Sequence, residues 1–210
     1  MIKVLIKMAK TSGSNGGLPN GDSNYNGKIG KLESLVSIKN PKVYKAVKES
    51  ISRFHSVLGV RQKDIKIGQL ESGTGGVHIS QGGVSKQVVL SKSIFNGKNT
   101  TTQSVAGWAE KGYKSGHLTK TNKPVAHIIT HELGHATWNK SLSNPNAKAA
   151  TKSVNSLYKK WSNDKKKSGY GKYAKTNVEE FWAELCTKAV HGKADKYTKA
   201  AKGIIKKYKL

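Results

Sequence analysis

Thr130-His131-Glu132-Leu133-Gly134-His135 decides how this chain is read. Two imidazoles stand four residues apart around a carboxylate. On a helix of about 3.6 residues per turn, that spacing stacks His131 and His135 on one face and points Glu132 alongside them. Both rings can then reach one tetrahedral ion whose remaining position stays open, the arrangement that zinc peptidases use to activate water. Glu132 is placed to take a proton from that water and to pass it to a leaving amine. One Zn2+ per chain is the expected cofactor, because two imidazoles and a carboxylate suit it.

The flanking residues support a helix. Pro124 suits a first helical turn, and Val125, Ile128, Ile129 and Leu133 recur as an apolar stripe that should face a core. Gly134 costs about 1 kcal/mol in a helix interior relative to Ala, which close packing near a metal would explain. The competing reading is a buried amphipathic helix that carries the pattern by chance. His127 lies one turn before His131, so three imidazoles follow one another on this face. A fourth protein ligand would close the open position, which assigns His127 to packing around the site.

A catalytic zinc needs a third ligand, and a helix beginning near Asn177 offers one. In Val178-Glu179-Glu180-Phe181-Trp182-Ala183-Glu184-Leu185, Glu180 and Glu184 lie one turn apart on one face, and Glu179 faces about 100° away. Two carboxylates on an otherwise apolar helix are costly to bury without a cation. Glu180 can ligate the metal, while Glu184 can accept the second ring N–H of a ligand histidine and fix its tautomer. Asn177 and Glu180 also match a capping box, which needs no metal but leaves Glu184 unexplained.

These two segments together, His131-Glu132-Leu133-Gly134-His135 and Tyr173-x-x-Thr176-Asn177-x-x-Glu180-Phe181-Trp182-Ala183-Glu184, resemble the catalytic domain of the anthrax lethal-factor-like metallopeptidases, zincins with a glutamate ligand. The resemblance is specific over residues 131–184. It implies His131, His135 and Glu180 as metal ligands, Glu132 as general base, and Tyr173 as a hydroxyl donor to the oxyanion at the scissile carbonyl. A phenol suits that last role because it can donate without titrating near neutral pH. Tyr170, in the same loop, competes for it. A metzincin pattern is excluded, since Ala136-Thr137-Trp138-Asn139 lacks the Gly and third His that it requires.

Elsewhere, His78 lies in Gly75-Gly76-Val77-His78-Ile79-Ser80, which alternates like an exposed strand. This segment or Gln87-Val88-Val89-Leu90 could pair with an extended substrate by strand addition, or be an ordinary edge strand. His55, His117 and His191 belong to no constellation and read as surface or partly packed residues. Cys186, the only cysteine, reads as a buried thiol, so no internal disulfide forms.

The 210 residues carry a formal net charge of +26, and Arg53 and Arg61 are the only arginines. Such a surface attracts nucleic acid, acidic proteins or anionic membranes without sequence preference. Runs such as Lys165-Lys166-Lys167 are ordinarily solvated faces, but their sum exceeds what solubility requires. The first ten residues are too short and too interrupted by lysine for a signal segment, and no run could span a bilayer. Cytosolic synthesis is the expectation, with incorporation in a virion or delivery to a host cell as later fates.

Residues 1–30 read as a short strand and a flexible Gly/Ser/Asn-rich stretch, and 31–210 as one metallopeptidase domain. Asn40-Pro41 starts a helix to about Leu58 with Val43, Val47, Ile51, Phe54 and Leu58 inward. Strand patterns fill 62–95, a short helix follows near 104–111, and Asn144-Pro145 opens a helix with Val154, Leu157, Tyr158 and Trp161 inward. A basic helix comes last. This order predicts an α+β, zincin-like fold: a small mixed sheet packed on the helix bearing the histidines, then the helix bearing the glutamate. The expected function is zinc-dependent endopeptidase action on a protein substrate. The alternative is a basic phage or mobile-element structural or cargo protein, with a zincin fold that binds nucleic acid or an acidic partner.

Overall fold

The computed structural model describes residues 28–62, 64–81, 84–166 and 169–210. The expected N-terminal strand and the Gly/Ser/Asn-rich stretch lie outside the described residues. Among those described there are seven helices and one four-stranded mixed sheet, an α+β arrangement.

Strand β1 (Leu32–Ser34) runs antiparallel to β2 (Ile65–Gly68). Between them lies α1 (Pro41–Leu58), which starts where Asn40 Oδ1 accepts the backbone N–H groups of Lys42 and Val43. It ends at Gly59, whose φ of 72° is a left-handed cap that a residue without Cβ adopts freely. Val43, Val47, Phe54 and Leu58 are buried as expected, and Ile51 is half-buried against the same core.

β3 (Gly76–Gln81) and β4 (Val84–Ser91) form an antiparallel pair with a bulge at Ile79/Ser80, and β4 continues parallel to β2. The strand order β1-β2-β4-β3 makes β3 an edge and β4 interior. This removes Gln87–Leu90 as a site for strand addition, because β2 and β3 already pair with both of its sides. It also corrects the exposed alternation expected around His78: Gly76, Val77, His78 and Ser80 are buried, since the helix that carries His131 and His135 covers this strand. Lys92–Phe95 is a short helix, α2, rather than the end of the strand region, and α3 (Thr102–Lys114) extends beyond the segment expected.

The central element is α4 (His127–Leu142), entered through a 3-10 turn at Pro124–Ala126. An apolar stripe on one face was expected; instead α4 is buried around almost its whole circumference. The sheet strands β3 and β4 cover one side, and α6 (Val178–His191) covers another. α1 and α5 (Ala147–Asn163) close the remaining sides, and the last helix, α7 (Lys196–Tyr208), packs on α5 and α6. Ile128, Ile129, Leu133, Trp138, Phe181, Trp182 and Leu185 are almost wholly buried. Each such side chain contributes about 1.5–3 kcal/mol through removal of apolar surface from water. That core fixes α4 against α6. Gly134 allows them to approach, because a Cβ there would lie 2.7 Å from Ala183 Cα of α6. The glycine therefore serves the close helix contact that brings the two helices' His and Glu side chains together. Cys186 is fully buried among the same residues, and burial pushes its thiol pKa up.

Candidate metal centre

The close contact of α4 and α6 brings His131, His135 and Glu180 together. His131 Nε2 lies 3.1 Å from Glu180 Oε2 and 3.1 Å from His135 Nε2, and His135 Nε2 lies 3.3 Å from Glu180 Oε2. The three donors converge on one point and could hold a metal ion. His131 and Glu180 are buried, while the His135 side chain is 14% exposed, so the trio has one side toward solvent.

Asn177 caps α6 by accepting the backbone N–H of Glu180 at 2.8 Å. The Glu180 carboxylate meanwhile faces the two imidazoles, so the capping and ligation readings are compatible at this residue. One uses its backbone, the other its side chain.

Glu184 organises the opposite edge of His131. Its Oε1 accepts from His131 Nδ1 at 2.9 Å and from His127 Nε2 at 3.1 Å, and its Oε2 accepts the backbone N–H of Thr119 at 2.6 Å. His127 Nδ1 lies 3.1 Å from the Tyr113 hydroxyl, which is 2.8 Å from Thr121 Oγ1. His127 Nε2 donates to the Glu184 carboxylate, and the Tyr113 hydroxyl lies within hydrogen-bond distance of both His127 Nδ1 and Thr121 Oγ1. A chain of hydrogen bonds therefore links Thr121, Tyr113, His127 and Glu184. Donation from Nδ1 of His131 orients that ring and leaves Nε2 facing His135 and Glu180.

The charges follow from this geometry. Burial opposes a proton on His131, but the hydrogen bonds to Glu180 and Glu184 outweigh it and raise the ring pKa to about 10. Burial likewise opposes ionisation of Glu180, yet the two imidazoles hold its pKa down to about 2. Glu184 is held below the ordinary carboxylate range against the same burial, by His127 and His131. Glu132 behaves oppositely: burial raises its pKa, with His135 and His131 pulling it back in part. It lies against β3, accepting the backbone N–H of His78, and a Cβ on Gly76 would come 2.8 Å from its Cγ. Glu132 is therefore a buried carboxylate beside the imidazoles but outside the converging trio.

Tyr173 lies in the 3-10 turn Lys172–Lys175, its ring stacked 5.7 Å from His131 and its hydroxyl bonded to Glu180. Burial, followed by the Glu180 charge, keeps its phenol protonated well above the usual value. Tyr170 is engaged elsewhere, since its hydroxyl donates to Asp195 Oδ2 at 2.9 Å.

Comparison with known proteins finds no matching family, no matching curated protein and no matching solved structure.

Sequence reasoning missed the loop after α3. Lys172 N–H bonds Gly116 O, Tyr173 N–H bonds His117 O at 2.8 Å, and Gly171 N–H bonds Thr119 Oγ1, so this loop clamps the Tyr173 turn beside His131. A Cβ on Gly171 would sit 2.2 Å from His117 O, which makes glycine a requirement of the clamp. The His117 ring lies 4.9 Å from that of Tyr173, contrary to its expected lack of any constellation. His191 is also buried rather than at the surface. The one signal available for the clamp was the glycine pair flanking Tyr170; nothing in the spacing marks Thr119. Among the described residues, no helix is long and apolar enough to cross a membrane.

Proposed function

We propose that the protein is a zinc-dependent endopeptidase, with His131, His135 and Glu180 as the metal ligands and Glu132 as the general base. The observation that carries this reading is the triangle of ligand atoms, with edges of 3.1, 3.1 and 3.3 Å. A tetrahedral ion with bonds of about 2.0 Å has edges of about 3.3 Å, so the donors already stand at the separation that zinc requires. Bound zinc would supply Lewis acidity toward the attacking water and the scissile carbonyl.

The chain's own residues do the rest. Glu132, with its pKa raised by burial, takes the proton from the attacking water and returns it to the leaving amine. Tyr173 stays protonated and donates its hydroxyl hydrogen to the oxyanion that develops on the substrate carbonyl. Glu184 fixes the His131 tautomer, and the edge strand β3 is where an extended peptide would pair. The test is cleavage of a denatured protein mixture by the zinc-loaded protein. Wild type should cleave and Glu132→Gln should not, although it keeps one zinc; equal cleavage by both rejects the assignment.

A second reading rests on charge. Glu132, Glu180 and Glu184 are three of 12 acidic residues, and all three are buried, so the net charge of +26 is displayed against still fewer exposed carboxylates. A basic structural or cargo protein that holds nucleic acid would use that surface without any catalysis. Binding to DNA should then weaken steeply with salt, because neutralised phosphates release counterions, and Glu132→Gln should bind equally well. Absence of binding at low salt would remove this reading.

A further inference from the structure

Away from the metal centre, where the entry to α4 meets the last turn of α6, the fold leaves a cavity of about 400 Å³ against the middle of α1. That is within the size range of small-molecule sites, roughly 300–1,000 Å³. Its basic groups come from three separate elements. Arg53 projects from α1, Lys123 precedes the 3-10 turn that leads into α4, and His191 ends α6. Arg53 is one of only two arginines in a chain that otherwise uses lysine. Its Nε donates to Val190 O at 3.1 Å, which orients the guanidinium, and its terminal nitrogens have no carboxylate partner among the described residues.

His191 supplies the independent sign that something belongs here. It is only 7% exposed, yet neither ring nitrogen has a hydrogen-bond partner. Two orphaned nitrogens in a buried imidazole cost free energy unless a ligand or water satisfies them. A cation is the wrong occupant. Burial, then Arg53, His127 and Lys123, lower the His191 pKa to about 4, so positive charge already converges on the ring. One carboxylate, Glu49, stands on the rim, 3.9 Å from Lys45. Ala46, Val125 and Val190 form the apolar part of the remaining wall, and Ser50 and Asn122 add polar groups to it.

We propose that this cavity is a binding site for a small phosphomonoester, its dianionic head held between Arg53 and Lys123 beside the His191 ring, and its compact apolar body laid against Val125 and Val190. A planar guanidinium with a lysine beside it matches a dianion better than a single carboxylate. The site does not depend on the metal centre, whose ligands lie elsewhere on α4 and α6.

Titration calorimetry of the full chain with phenyl phosphate, at enough salt to screen the general lysine surface, tests this. One saturable equivalent should bind. Arg53→Gln and Lys123→Gln should each weaken binding about tenfold or more, and the two together should abolish it. Removing the same charge from α5 with Lys159→Gln and Lys160→Gln should change nothing. Arg53 and Lys123 are exposed, so their variants should fold, as circular dichroism would check. Several equivalents, weakened equally by the α5 pair, would mean scattered binding to lysines and would overturn the site. Binding that survives Arg53→Gln but disappears with His135→Ala would place the phosphate on the metal and overturn it as well. Benzoate or inorganic phosphate binding as tightly as phenyl phosphate would overturn the ligand class.

Discussion

His131 belongs to two trios made of the same residue types, and the difference between them is instructive. On its Nε2 edge stand His135 and Glu180; on its Nδ1 edge stand His127 and Glu184. Both trios bring a carboxylate and two imidazoles within ligand distance. In the second, the outer positions are taken. Tyr113 hydrogen-bonds His127 Nδ1, the Thr119 backbone N–H donates to Glu184, and both side chains of that trio besides His131 are wholly buried. In the first, His135 keeps an exposed side, and its Nε2 faces another imidazole nitrogen, a contact that a shared cation would relieve. Donor type therefore does not mark a metal site by itself. What distinguishes the two is that His135 keeps a side toward solvent, whereas His127 is wholly buried and hydrogen-bonded through both ring nitrogens.

The sharpest way to break this comparison is to remove one histidine from each side. His135→Ala should abolish stoichiometric zinc, measured by metal analysis after dialysis. His127→Ala should retain one zinc per chain. Glu184→Ala should fall between them, lowering affinity by about 10- to 100-fold, since it orients a ligand without contacting the ion. Zinc kept by His135→Ala and lost by His127→Ala would exchange the roles of the two trios.

A smaller effect is expected at Tyr173, which reaches only the open trio. Tyr173→Phe keeps the ring packing against His131 and His117 but removes one hydroxyl donor. It should lower kcat by about 10²-fold or more with zinc content unchanged, as for loss of one oxyanion donor. Tyr170→Phe should leave kcat near wild type, because that hydroxyl is committed to Asp195. The reverse result would assign the donor to Tyr170.

The open trio was legible in the sequence, and the closed one only in part. Helical spacing alone places His131 with His135 and Glu180 with Glu184, since i and i+4 share a face whatever the tertiary fold. The partners of Glu184 are different in kind. Thr119 reaches it across 65 residues of chain through a backbone N–H, a contact that no side-chain pattern records. His117 was hidden for the same reason, because only the pairing of its loop with Tyr173 brings it near the site. The amphipathic stripe expected of α4 failed because that expectation assumes a helix with one solvated face. α4 instead lies between a sheet and other helices, so its polar residues are buried by partners and not exposed to water. β4 could not be told from an edge by alternation, since strand order depends on the crossover, which the local pattern does not contain.

Acid provides the smallest and most graded comparison, between the buried trios and a partly exposed polar cluster at the other end of α6. Asp195 caps α7 by accepting the N–H groups of Tyr197 and Thr198 through Oδ1, while Oδ2 accepts from Lys188 and Tyr170. Burial opposes its ionisation, but Lys188, the Thr198 N–H and Tyr170 outweigh that and depress its pKa below the usual 3.8. A carboxylate with a depressed folded-state pKa stabilises the fold fully above its unfolded value. That contribution is lost as pH falls through the folded pKa. Asp195→Asn should therefore lower the urea midpoint near neutral pH, and the gap from wild type should narrow as pH falls from about 5 to about 2. A gap that stays constant over that range would mean that the loss comes from the second acceptor oxygen, which meets Lys188 and Tyr170 and which Asn lacks, and not from the charge. The acid limb of stability would then belong to Glu180 and Glu184 on the two sides of His131.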